Sequence, residues 1–160
     1  MSRLDSFIRR LEAQRACLDW ACDRIAGLSG VVLELGLGNG RSYDHLRERI
    51  GAGCEIYAFD RALAAHPACV PPAGRLVLGD LRRTLPGFAA GPVALAHADL
   101  GSGDVEANAA LARWLGPALA PLLAPGGLIL SDQALSDPRL AALALPAPVA
   151  AGRYFAFRRR

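Results

Sequence analysis

Apolar side chains recur at Leu4, Phe7, Ile8, Leu11, Leu18, Ala21, Cys22 and Ile25, three or four positions apart along one helical face. Ala13, Ala16, Cys17 and Trp20 widen that stripe, and Arg3, Arg9, Arg10, Glu12, Arg15, Asp19 and Asp23 occupy much of the remaining surface. The spacing predicts an amphipathic helix over residues 4–26, ended by Gly27 and Gly30. The pattern then changes. VVLEL (31–35), EIYAFD (55–60), RLVLGD (75–80), PVALAHAD (92–99) and LILSDQ (128–133) read as strands, and GRYFAFRRR (152–160) as a last one. RSYDHLRERI (41–50) reads as a helix. So does 104–123, with Leu111, Trp114, Leu115, Leu119 and Leu122 on its stripe. Pro117 and Pro121 predict a break or a second short helix near Gly116. Pro125-Gly126-Gly127 predicts a turn, and a short helix is expected after Pro138.

Strands that alternate with helices predict an α/β fold, a doubly wound and mostly parallel sheet with helices on both faces. The expected organisation is a single domain over 1–160, with an N-terminal helical extension (1–29) and a core (30–160). The apolar stripe on residues 4–25 suits either packing on its own sheet or a homo-oligomer contact.

Composition narrows the chemistry. The chain is 52% hydrophobic and 21% charged, within the range of a folded domain. All 18 basic residues are arginine, so no lysine can act as a base or form a Schiff base. Cys17, Cys22, Cys54 and Cys69 form no CxxC pair, which argues against a zinc knuckle or a thioredoxin motif. The charged N-terminal stretch is unlike a signal peptide, and no run reaches the ~18–20 apolar residues of a membrane span. A cytoplasmic protein is the expectation. Arg158-Arg159-Arg160 and Arg82-Arg83 are offset by interleaved acids and a net charge of only +3, so a solvated surface is favoured over a nucleic-acid interface.

The stretch Glu34-Leu35-Gly36-Leu37-Gly38-Asn39-Gly40 follows a strand and opens a helix, the setting in which glycines let a ligand approach the backbone. A dinucleotide fingerprint needs its third glycine at position 41, which is arginine; here it falls at Gly40. Glu34 would also repel a pyrophosphate and suits a ligand that carries positive charge.

These residues resemble the first motif of class I S-adenosylmethionine-dependent methyltransferases, E/D-x-G-x-G-x-G. The resemblance extends over roughly 130 residues in the order of its elements, and LELGLGNGRSYDHLRE and AHADLGSGD are similar to small bacterial members. It implies a Rossmann-like sheet of the seven-stranded type, with S-adenosylmethionine as cofactor and S-adenosylhomocysteine as product. It further implies a cofactor site of Glu34, Gly36, Leu37, Gly38, Asn39 and Gly40. Asp60, with Arg61 beside it, would hold the ribose hydroxyls, Gly79, Asp80 and Leu81 would flank the adenine, and Asp99 would close the fourth strand. Glu34 is expected to orient the loop through backbone N–H groups or to reach the amino-acid end through water.

Methyl transfer needs alignment, and a base only where the acceptor must lose a proton. Asp99, Asp132 and His97 are the candidate catalytic residues; the second glycine-rich loop, 99–104, either lines the acceptor pocket or serves only to let Asp104 start the next helix. His45 and His66 read as structural or exposed. Asp132-Gln133 resembles the Asp-Asn pair of metal-dependent catechol-type O-methyltransferases. Gln133 departs from that pair and the accompanying lysine is missing, so no metal is expected. The expected partner is a small-molecule acceptor, with no membrane. Three other functions share these features: an S-adenosylmethionine-binding protein without transferase activity, an RNA-directed methyltransferase and a nicotinamide-dependent oxidoreductase.

Overall fold

In the computed structural model, which describes residues 2–160, Ser2 caps the first helix. Its hydroxyl accepts the Asp5 N–H at 3.0 Å, and the Asp5 carboxylate accepts the Ser2 N–H at 3.0 Å. Helix α1 (Arg3–Ile25) follows. Next come β1 (Val31–Leu35), α2 (Arg41–Ile50), β2 (Ile56–Asp60), β3 (Leu76–Leu78) and the short α3 (Leu81–Thr84). The chain ends with β4 (Val93–Ala98), α4 (Val105–Leu119), β5 (Leu123–Ser131), β6 (Leu140–Leu143) and β7 (Phe155–Arg159).

The strands form one seven-stranded sheet in the order β3-β2-β1-β4-β5-β7-β6. All pairs are parallel except those of β7, which runs antiparallel to β5 and β6. Strand order reverses between β1 and β4, where the ends of neighbouring strands diverge into a crevice.

Each face of the sheet carries its own core. Cys17, Leu18 and Ala21 of α1 and Leu46 of α2 pack with Val32, Leu95 and Leu130. Leu115 and Leu119 of α4 pack on the other face with Leu33, Ala96 and Ile129. The stripe of α1 is buried from Ala13 to Ile25, but Leu4, Phe7 and Ile8 are exposed on its first turns. The four cysteines are free, and burial pushes the Cys17 and Cys22 thiols up to about 11.

Three expectations fail for identifiable reasons. Helix α4 does not break near Gly116 but runs through Pro117. An interior proline costs about 3 kcal/mol, whereas full burial of Leu115 and Leu119 contributes about 1.5–3 kcal/mol each. Pro125-Gly126-Gly127 is not a turn ahead of β5 but an irregularity inside it: Val93 pairs with Leu123, and Leu95 with Leu128. The segment after Pro138 forms β6 rather than a helix, because Leu140–Leu143 pairs with Ala156–Arg159 and the ladder overrides the helix propensity of its alanines.

Candidate active site

The loop after β1 is held by main-chain bonds. The Gly36 and Leu37 N–H groups both donate to the Phe59 carbonyl, at 2.9 and 3.2 Å. Gly36 has φ +89°, and a Cβ there would lie 2.8 Å from Leu100 Cδ2 and 3.3 Å from the Asp99 carbonyl. Gly40 has φ +88°, and its Cβ would lie 2.5 Å from Cys69 Cβ. Both positions therefore need glycine for backbone conformation and for space.

A cavity of about 560 Å³ opens where the strand order reverses. Gly36, Asp60, Arg61, Gly79, Asp80 and Leu81, which the resemblance assigns to the cofactor, line it. Leu100, Ser102, Asn108 and Leu111 add to the wall; they come from the second glycine-rich loop and α4, and the sequence reading assigns none of them to the cofactor. Leu37 instead points into the core and is 2% exposed. The Gly38 N–H donates to Asp60 Oδ2 at 2.8 Å, and the Asn39 carbonyl accepts the His66 N–H at 3.0 Å. Asp60 Oδ1 accepts the Arg61 N–H at 2.6 Å, so both oxygens are aimed by backbone donors while lone pairs remain free. Asp80 caps α3 through the Arg82 N–H at 2.9 Å, and Asp104 caps α4 through the Ala107 N–H at 3.0 Å.

Glu34 sits elsewhere than expected. It is fully buried, does not line the cavity and binds no backbone N–H or outward-facing group. The Ser42 hydroxyl donates to its Oε1, and His97 Nδ1 lies 2.7 Å from its Oε2. His97, also fully buried, places Nε2 2.9 Å from the Tyr154 hydroxyl. Gln14 on α1 extends this line: its Nε2 lies 3.3 Å from that hydroxyl and 2.8 Å from Asp99 Oδ2. The Arg10 guanidinium stands 3.5 Å from Asp99 Oδ1. Sequence patterning missed Arg10, Gln14 and Tyr154. Only Glu34 and His97 left a signal, as polar residues inside two apolar strands.

Burial raises the Asp99 carboxyl above the usual carboxylate range; Asp132 adds to this, and Arg10 opposes it. Burial alone would lower His97, but the charge and hydrogen bond of Glu34 outweigh it and the imidazole titrates above its ordinary value. Burial also pushes the Tyr154 hydroxyl up. Asp132 accepts the N–H groups of Leu100 (3.3 Å) and Gly101 (2.7 Å) and the Gln133 amide (3.2 Å), tying the loop after β4 to the end of β5. Among the described residues no group of three or more His, Cys, Asp or Glu could hold a metal ion. His45 pairs with Asp19 at 2.9 Å, and His66 Nδ1 accepts the Ala68 N–H at 3.2 Å.

The cavity suits an adenosyl amino acid. Its leucines offer apolar walls for a flat ring, Asp60 offers acceptors for a diol, and Gly36 brings bare backbone to the cavity wall. Among the described residues no helix is long and apolar enough to cross a membrane.

No curated protein matches the chain. Among solved structures, an S-adenosyl-L-methionine methyl transferase from Silicibacter pomeroyi DSS-3 is 49% identical, over 100% of this chain and 99% of its own, with a TM-score of 0.92. TrmN from Thermus thermophilus is 22% identical over 89% of this chain and 48% of its own, with a TM-score of 0.65. An O-methyltransferase from Bacillus cereus, in complex with SAH, is 14% identical over 100% of this chain and 82% of its own, with a TM-score of 0.58. The latter two likenesses bear on the fold alone. A family model for S-adenosyl-L-methionine methyltransferases matches residues 1–159. With the cavity, its glycine loop and the acids Asp60 and Asp80 in place, the chain belongs to the S-adenosyl-L-methionine methyltransferase family.

Proposed function

We propose that the protein transfers a methyl group from S-adenosylmethionine to a small-molecule acceptor, with Asp99 as the base that receives the acceptor's proton. When bound, the cofactor supplies a methyl group on a positively charged sulfur. Gly36, Asp60, Gly79, Asp80, Leu81 and Leu100 would hold it. Asp99 carries the reading: it closes β4 beside the glycine loop, its side chain is only 15% exposed, and burial raises its affinity for a proton. Such a carboxylate can take a proton as the acceptor attacks, whereas one in open water is too weak a base. His97 lies wholly inside the sheet layer and Asp132 is engaged by the loop, so both support Asp99 rather than meet the acceptor.

A panel of small hydroxyl- and amine-bearing acceptors, screened by S-adenosylhomocysteine release, tests this. Turnover should fall at least a hundredfold in Asp99→Asn. Undiminished turnover in that variant would show that Asp99 is not the base. Turnover only on RNA would overturn the small-acceptor reading.

A further inference from the structure

We infer that Gln14, Tyr154 and His97 are positioning residues for Asp99, linked in a one-way hydrogen-bond chain that is anchored on the buried carboxylate of Glu34. The inference deepens the reading of Asp99 as the base and rests on it for its functional meaning, though not for its geometry.

With His97 neutral, donor counting fixes the direction of the chain. Gln14 Nε2 has two hydrogens and two oxygen partners, Asp99 Oδ2 at 2.8 Å and the Tyr154 hydroxyl at 3.3 Å. The Tyr154 oxygen therefore accepts, and its own hydrogen goes to the one acceptor in reach, His97 Nε2 at 2.9 Å. A nitrogen that accepts is bare, so the imidazole proton sits on Nδ1 and is donated to Glu34 Oε2 at 2.7 Å. The second Glu34 oxygen takes the Ser42 hydroxyl. Among the described residues no buried side-chain polar atom lacks a partner.

The charged groups around it act in known senses. Arg10 faces Asp99 from α1, Glu34 faces His97 from β1, and Asp132 faces both from the end of β5. Burial and Asp132 favour a proton on Asp99, while the Gln14 N–H favours the bare carboxylate. Gln14 can deliver that N–H in a fixed direction only while Tyr154 holds its other hydrogen, and Tyr154 is directed by a neutral His97. As His97 loses its extra proton with rising pH, the chain completes and Asp99 is held ready to accept.

The test needs no acceptor. In protein labelled with 15N in histidine and 13C in aspartate carboxyls, the His97 ring nitrogens and the Asp99 carboxyl are followed through a pH titration by NMR. Above the His97 transition, Nδ1 should carry the proton and Nε2 should be bare. Gln14→Met should raise the Asp99 midpoint by about one pH unit, the effect of one hydrogen bond to a charged group. Tyr154→Phe, at a residue that does not touch Asp99, should move it the same way. A proton on Nε2 would overturn the chain, as would an Asp99 midpoint indifferent to Tyr154→Phe. Should a variant not fold, the ring nitrogens of the unaltered protein decide alone. Because the readout is a proton position, it can fail while Asp99→Asn still abolishes turnover, and the reverse also holds.

Discussion

Glu34 and His97 stand opposite each other on neighbouring parallel strands, β1 and β4, with Oε2 and Nδ1 2.7 Å apart and both side chains at 0% exposure. Removing one member of such a pair leaves the other polar and unpartnered in a dry interior. Glu34→Ala should cost about 3–5 kcal/mol of unfolding free energy, measured by urea denaturation. A loss below about 1 kcal/mol would mean that water already reaches the pair.

The same pair sets a pH dependence. The folded-state pKa of His97 is raised above its unfolded value, because Glu34 outweighs burial. Its contribution to stability is then fully present below the ordinary imidazole pKa and is lost as pH rises through the raised value. The urea midpoint should fall across that window in the unaltered protein, and His97→Gln should flatten the slope. Asp99→Asn, run in parallel, removes the contribution of the raised carboxyl, which has the same sign.

Asp60 joins the glycine loop to the cavity by accepting the Gly38 N–H at 2.8 Å. Asp60→Ala removes both the cavity-facing acceptors and that anchor. Affinity for S-adenosylhomocysteine, by calorimetry, should fall at least tenfold, about 1.4 kcal/mol or more. An unchanged affinity would place the ribose elsewhere. NAD should produce no thermal stabilisation in either protein.

Gly36→Ala should combine two separate costs, strain at φ +89° and a clash with Leu100 Cδ2 at 2.8 Å. The expected loss is about 1–3 kcal/mol in stability, with weaker S-adenosylhomocysteine binding. Adding Leu100→Ala should recover the steric share only. Full recovery in the double variant would show that the backbone tolerates a side chain there.

Asp132→Ala should release the loop after β4, because the Leu100 and Gly101 N–H groups both lose their acceptor. Their amide hydrogen exchange should quicken by tenfold or more. Unaltered exchange would show that the loop is held by other means.

The sheet was largely legible because β1, β2 and β4 are short apolar runs buried on both faces, and such runs are bounded by the residues that end them. Pro117 misled because a local penalty competes with burial that only the assembled core provides, and β6 was hidden because pairing, not its own alanines, makes it a strand. Asp60 and Asp80, which line the cavity, are singled out by the resemblance, which places acids at the ends of the second and third strands. The surroundings of Asp99 could not, since Gln14 and Tyr154 lie 85 positions before and 55 positions after it on elements with no motif. The pairing of Glu34 with His97 becomes visible only when β1 and β4 are known to be neighbours.

Every residue that lines the cavity falls between positions 36 and 111, whereas Asp99 is gripped by Arg10 and Gln14 from one end of the chain and, through Gln14, by Tyr154 near the other. The residues that line the cavity and those that hold the Asp99 carboxylate thus come from different stretches of the sequence. Under the proposed function, substitutions confined to the outer segments would change the surroundings of the proposed base and leave the cavity lining as it is.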